Sequence, residues 1–129
     1  MSSFADDPTI LDPDPLWRRV RPEQIVRDGD GTRRPSSAVF QNSSDGSGMS
    51  VSLGREAQDA GISPARALAD YPGFGLAQLT AGECRAHHQT MQRDPTDADP
   101  HHALVSGDKK RATSRALGRL ATWIVLPDS

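Results

Sequence analysis

The residues best suited by type and spacing to bind a ligand are basic side chains that lie close together near the end of the chain. They are Lys109, Lys110, Arg111, Arg115 and Arg119, and no acidic residue lies between them. An apolar run at 103–105 and a turn precede them, so we predict a strand, a tight turn and a helix that begins near Lys109. The N–H groups at the start of a helix are well placed to bind an anion.

Positive charges at the start of a helix lower the stability of that helix. Lys109, Lys110 and Arg111 fall in the first helical turn, where each positive charge works against the helix dipole by about 0.3 to 1 kcal/mol. One interpretation is that phosphate or a carboxylate binds there. The simpler interpretation is that exposed cations in water cost little. The turn lacks the glycine and lysine spacing of a P-loop, so nucleoside triphosphate hydrolysis is not indicated.

Two histidine doublets, His87-His88 and His101-His102, are the other groups suited to proton transfer or metal binding. Adjacent histidines on one element point in different directions, and the two doublets are not expected to meet. We therefore predict no metal site and no cofactor. An enzymatic alternative uses His102 as the acid or base, with Lys109 and Arg111 holding a phosphate or nucleotide substrate. The candidate ligand-binding residues are His101, His102, Lys109, Lys110, Arg111 and Arg115.

Two short patterns resemble known enzyme families. His88-Gln89-Thr90 is similar to the HxT half-motif of the 2H phosphoesterases, but His102-Ala103-Leu104 has no hydroxyl in the third place. An early Arg18 or Arg19, then Ser50-Val51-Ser52, then Glu83 resembles the order of groups in mono-ADP-ribosyltransferases. The second resemblance implies an ADP-ribosyltransferase-like activity, whereas a capping box gives Glu83 a purely structural role.

Composition narrows the class of protein. The chain has 129 residues, a formal net charge of −2 and one cysteine, Cys84, which excludes an intramolecular disulfide. We expect Cys84 to be a small buried side chain rather than a nucleophile. Near-neutral charge and few aromatic residues argue against general nucleic-acid binding. No apolar run is long enough for a membrane span, so we expect a cytoplasmic protein of bacterial type.

Local signals predict the elements. Residues 1–15 contain four aspartates and three prolines, which predicts a flexible acidic arm. One interpretation is that this arm competes with an anionic ligand for the basic helix; the simpler one is a disordered tail beside a solvated helix face. The runs 36–40 and 49–53 predict a hairpin. Ser63-Pro64 predicts a helix start, as does the capping box of Thr80 and Glu83, with helix or strand possible at 89–93.

The final helix is predicted to be capped by Asp108. Its expected core stripe is Ala112, Ala116, Leu120, Trp123 and Ile124. An adjoining face would carry Arg111, Arg115 and Arg119.

Together these patterns predict an α+β fold: a small antiparallel sheet with two or three covering helices. After the arm at 1–15, residues 16–129 are expected to form a single α+β domain. Its predicted role is a non-catalytic binding or accessory module. A protein partner, a second copy of the chain or a phosphate-bearing ligand would meet the basic C-terminal helix and the His101-His102 turn.

Overall fold

The computed structural model describes residues 6–44 and 46–127. Its strands are β1 (Pro15–Val20), β2 (Ile25–Arg27), β3 (Arg33–Pro35), β4 (Met49–Leu53), β5 (Gly75–Thr80), β6 (Thr90–Arg93), β7 (His102–Ser106) and β8 (Thr122–Val125). The α-helices are α1 (Gly54–Asp59), α2 (Pro64–Ala67), α3 (Ala81–Ala86) and α4 (Arg111–Leu120). Short 3₁₀ helices lie at Pro22–Gln24 and Ser37–Val39.

The centre of the fold is a six-stranded sheet in the order β6-β7-β4-β1-β5-β8. Every neighbouring pair is antiparallel. Strands β2 and β3 form a separate two-stranded ribbon. The prediction of an α+β fold is confirmed, and the strand expected at 103–105 is part of β7.

Side chains alternate across the sheet and fill a core on each face. Leu16 and Val20 of β1 contact the main core, which also contains Cys84 of α3 and Leu117 of α4. Trp17 points the other way, into a smaller core that α1 and α2 cover. The sheet is therefore covered by helices on both faces.

The predicted hairpin between 36–40 and 49–53 is wrong. Residues 37–39 form a 3₁₀ helix, while β4 pairs with β1 and β7, strands that are distant in sequence. In β4, Met49, Val51 and Leu53 do alternate as predicted and all are buried. The alternation identified a strand, but its hydrogen-bonding partners depend on the tertiary fold.

The two predicted helix starts are confirmed. The Glu83 N–H donates to Thr80 Oγ1 at 3.1 Å, and the Thr80 N–H donates to Glu83 Oε1 at 2.8 Å, which completes the capping box. Ser63 Oγ likewise accepts the Arg66 N–H at 3.1 Å. Helix α3 ends at Ala86, and the 89–93 segment takes the strand alternative as β6.

The last helix differs from its prediction at both ends. It begins at Arg111 with Lys110 as the N-cap residue and no side-chain cap, so Asp108 does not cap it. The predicted core stripe is also wrong, because the buried helical residues are Ser114 and Leu117. Trp123 and Ile124 belong to β8, which pairs with β5. Trp123 and Ile124, which the helical pattern had assigned to the helix, thus lie in the strand that follows α4.

The acidic segment is packed against the protein. Ile10 is 1% exposed and lies in the main core, and Arg85 binds both Asp6 and Asp12. The prediction of a flexible arm therefore does not describe residues 6–15, and residues 1–5 lie outside the described residues. Its aspartates pair with Arg55, Arg85 and Arg93 instead of competing for the basic helix.

Candidate functional site

The predicted site residues lie at opposite ends of β7. His102 begins the strand, and its Nδ1 lies 2.8 Å from the Asp94 carbonyl oxygen and 3.1 Å from Asp94 Oδ2. The neighbouring His101 is half-buried. Lys109 follows the other end of the strand, which is about 13 Å from His102 at the usual rise per residue. The structure does not bring the histidine turn and the basic cluster together.

Lys109 points inward, toward oxygen atoms of the protein. Its Nζ donates to Asn42 Oδ1 at 2.5 Å, to the Val105 carbonyl at 2.8 Å and to the Gly107 carbonyl at 3.4 Å. Burial lowers the pKa of Lys109 to about 8. The Lys109 ammonium is therefore committed to closing the turn between β7 and α4, and it is not directed at solvent.

The perturbed lysine can be measured directly. Lys109 and Lys110 are the two lysines of the chain, so a Lys110→Met variant leaves one side chain to observe by NMR. We expect its ε-methylene signals to titrate with a midpoint near pH 8, because burial disfavours the charged form. A midpoint near the ordinary value of about 10.4 would contradict the buried position.

The other predicted cations are exposed and lie on α4 or just before it. Lys110 has an 81% exposed side chain, and its Nζ lies 3.9 Å from Asp108 Oδ2. Arg111 and Arg115 are also exposed. Arg111, Arg115 and Arg119 follow each other at four-residue spacing, so they form one face of the helix, as the sequence predicts.

Two residues of this helix face, Arg115 and Arg119, line a groove of about 630 Å³ that we call the arginine groove. Its lining residues are Val26, Arg34, Pro35, Ser36, Ser37, Arg115, Gly118 and Arg119. One wall is α4, and the other is the β2–β3 ribbon with the start of the following 3₁₀ helix. Arg34, Ser36 and Ser37 were missed by sequence reasoning, because only the tertiary fold brings the ribbon beside α4.

Buried contacts hold both walls in place. Ser114 Oγ donates to the Phe40 carbonyl at 2.8 Å, and Leu117 is fully buried, which turns Arg115 and Arg119 toward the groove. The ribbon is held by the end of the chain. The Trp123 indole N–H donates to the Arg33 carbonyl at 2.9 Å, and Arg33 Nη1 donates to the Pro127 carbonyl at 2.6 Å.

The charges in the groove are unbalanced. Arg34 Nε donates to both carboxylate oxygens of Asp28, each at 3.1 Å. Within residues 6–44 and 46–127, neither Arg115 nor Arg119 forms an ion pair. By contrast, Arg55, Arg85 and Arg93 are all bound by acidic side chains. The groove is thus lined by three arginines, of which Arg34 alone pairs with a carboxylate, that of Asp28.

Other candidate groups have structural roles. Arg18 donates to the Val39 and Ser50 carbonyls at 3.1 and 2.8 Å, and burial lowers its pKa to about 10. Glu83 serves the capping box, so its carboxylate is already in use. Cys84 is fully buried, and burial raises the pKa of its thiol to about 12. A thiolate nucleophile at Cys84 is therefore not supported.

Residues 6–44 and 46–127 contain no group of three or more histidine, cysteine or acidic side chains arranged to hold a metal ion. None of the helices in this part of the chain is long and apolar enough to cross a membrane. No family model, curated protein or solved structure matches the chain.

Proposed function

We propose that the protein is a non-catalytic binding module whose arginine groove holds a phosphate-bearing ligand. The observation that carries this proposal is the presence of Arg34, Arg115 and Arg119 in one groove with a single carboxylate partner, Asp28. Unpaired positive charges that share a concave surface repel each other, and a multiply charged anion would relieve that repulsion.

The groove offers donors suited to phosphate. A guanidinium group presents paired N–H donors that match two oxygens of one phosphate. Arg115 and Arg119 lie one helical turn apart, about 6 Å between Cβ atoms, so they can share one ligand. Ser36 and Ser37 add hydroxyl donors from the facing wall. Gly118 also lines the helix side of the groove.

The enzymatic alternative has less support. It requires His102 to act on a ligand held by Lys109 and Arg111. His102 lies at the far end of β7 and Lys109 binds protein oxygens, so these three groups do not surround a common space. The arginine groove contains no histidine, and it supports binding better than proton transfer.

Charge reversal tests the proposed function. We expect calorimetric titration at low salt to show pyrophosphate binding to the natural protein. An Arg115→Glu, Arg119→Glu double variant should bind at least about tenfold more weakly, because it loses two charge-assisted contacts. Arg21→Glu is the matched control, since Arg21 is exposed but lies outside the groove.

The outcomes separate ligand classes. Equal binding of pyrophosphate by the natural protein and the double variant would contradict the groove as the site. Binding of hexaglutamate in place of pyrophosphate would contradict the phosphate assignment and would favour an acidic protein partner for the same groove. Circular dichroism and thermal unfolding show whether the variants keep the fold.

A further inference from the structure

A second cavity lies on the opposite face of the sheet, where α1 and α2 cover β1 and β4. Its volume is about 240 Å³. Its lining includes Trp17, Arg19, Ser52, Ala57, Ile62, Tyr71 and Asp99, together with the charged residues Arg66 and Asp70. We call this space the Trp17 cavity. It shares no lining residue with the arginine groove, so an inference drawn from it is independent of the proposed function.

Arg19 is held in one orientation. Its Nε donates to the Ala67 carbonyl at 3.2 Å, and its guanidinium carbon lies 4.3 Å from the centre of the Tyr71 ring. These contacts fix the plane of the group and use one of its five N–H donors. No carboxylate in the described residues pairs with it. The terminal nitrogens of Arg19 are therefore pre-organised to receive an anionic group.

Asp99 supplies the opposite charge. Its Oδ2 accepts a hydrogen bond from Ser52 Oγ at 2.5 Å, and its Oδ1 accepts the His101 N–H at 2.9 Å. Both bonds come from neutral groups, and no cationic side chain of the described residues pairs with this carboxylate. Each oxygen can still accept a further hydrogen bond, because a carboxylate offers about four acceptor positions.

Part of the lining is apolar. Trp17 is 2% exposed and Ala57 is 3% exposed, and Ile62 packs against the same cluster. The cavity lining also contains Arg66 and Asp70, but both are exposed, whereas Arg19 and Asp99 are half-buried. A half-buried cation and a half-buried carboxylate beside an apolar wall match a small zwitterion with an apolar part. We propose that the Trp17 cavity binds a free α-amino acid with an apolar side chain. The ligand carboxylate binds Arg19, its ammonium binds Asp99, and its side chain contacts Trp17, Ala57 and Ile62.

Matched ligands test this assignment. Calorimetry or ligand-observed NMR would compare L-leucine with isocaproate, which lacks the amine, and with isoamylamine, which lacks the carboxylate. L-methionine and L-phenylalanine extend the series of side chains. We expect at least one of the three amino acids to bind at millimolar concentration or below. Removal of either charged group from the ligand should weaken binding at least about tenfold, because one half-buried charge of the cavity then lacks its partner.

Variants of the protein complete the test. Arg19→Gln and Asp99→Asn should each weaken amino-acid binding at least about tenfold, while Arg21→Gln, outside the cavity, should leave it unchanged. Asp99→Asn should also reduce the preference for leucine over isocaproate, a change that general unfolding would not produce. The Arg115→Glu, Arg119→Glu variant should keep amino-acid binding, which separates this cavity from the arginine groove.

Two results would overturn the proposal. One is the absence of binding by all three amino acids to the natural protein at millimolar concentration. The other is equal binding of leucine, isocaproate and isoamylamine, which would show that neither Arg19 nor Asp99 contributes recognition.

Discussion

Replacement of Arg85 by methionine should lower the free energy of unfolding by about 3 kcal/mol, because it leaves partly buried charged and carbonyl groups without their donor. Arg85 makes five hydrogen bonds to the segment at 6–12, including both carboxylate oxygens of Asp6 and the Ile10 carbonyl at 2.6 Å. Loss of these bonds would release Ile10 from the core. Urea unfolding followed by circular dichroism measures the change.

Arg55→Met is the matched control, since Arg55 holds the same segment through Asp14 alone and is half exposed. We expect a smaller loss than for Arg85→Met. Equal losses in the two variants would contradict the central role of Arg85.

The same network predicts how stability depends on pH. Burial alone would raise the pKa of Asp6, but hydrogen bonds from Arg85 and the Met91 N–H bring it below 3.8. The Thr9 hydrogen bonds lower the pKa of Asp7, and the Arg55 hydrogen bond lowers that of Asp14. Because these pKa values are lower in the folded protein, the unfolded chain binds more protons than the folded protein does in acid. Stability should therefore hold above about pH 5 and fall as pH drops below about 4, less steeply in Arg85→Met.

Gly54→Ala is expected to destabilise the protein by about 2 kcal/mol and to disrupt the Trp17 cavity. A Cβ at this position would overlap Trp17 Nε1 and would lie 2.6 Å from its Cε2, so the buried indole would have to move. Thermal unfolding measures the loss of stability, and the leucine titration described above measures the cavity.

Gly29→Ala provides the control for this substitution, because nothing lies within 4 Å of a Cβ at Gly29. It should change the melting temperature little. If Gly54→Ala melted at the same temperature as Gly29→Ala, the close packing of Trp17 on the start of α1 would be contradicted.

Signals confined to a few residues were enough to predict several elements. Ser63 and Thr80 each cap a helix through their own hydroxyl, and the partner N–H is three residues away in both cases. The strand at 103–105 was also predicted correctly, because three consecutive apolar residues indicate a buried segment. The capping hydrogen bonds span only three residues, so the neighbouring sequence is enough to predict them.

Features that depend on distant segments could not be predicted in this way. Arg85 meets Asp6 across 79 residues, and nothing near either residue indicates that the acidic segment will pack instead of staying flexible. Trp123 and Ile124 fit a helical stripe equally well, but pairing with β5 makes them a strand. Tertiary hydrogen bonding outweighed local pattern in both places.

The candidate site likewise combines residues that local spacing predicts with residues that only the tertiary fold brings together. The arginine face of α4 follows from four-residue spacing, so Arg115 was predicted from the sequence alone. Arg34 and Ser37 come from another part of the chain and join it only in the folded protein. The inward orientation of Lys109 could not be predicted for a related reason, because its ammonium binds Asn42, 67 residues earlier in the chain.

The attachment of the β2–β3 ribbon to Trp123 and Pro127 has a consequence for how the protein is made. The two bonds that fix this wall of the arginine groove span 90 and 94 residues, so a growing chain cannot complete the groove until its final strand has been synthesised. The Trp17 cavity is lined by residues no later than Pro100. A nascent chain would therefore carry the whole lining of the Trp17 cavity before it carried that of the arginine groove.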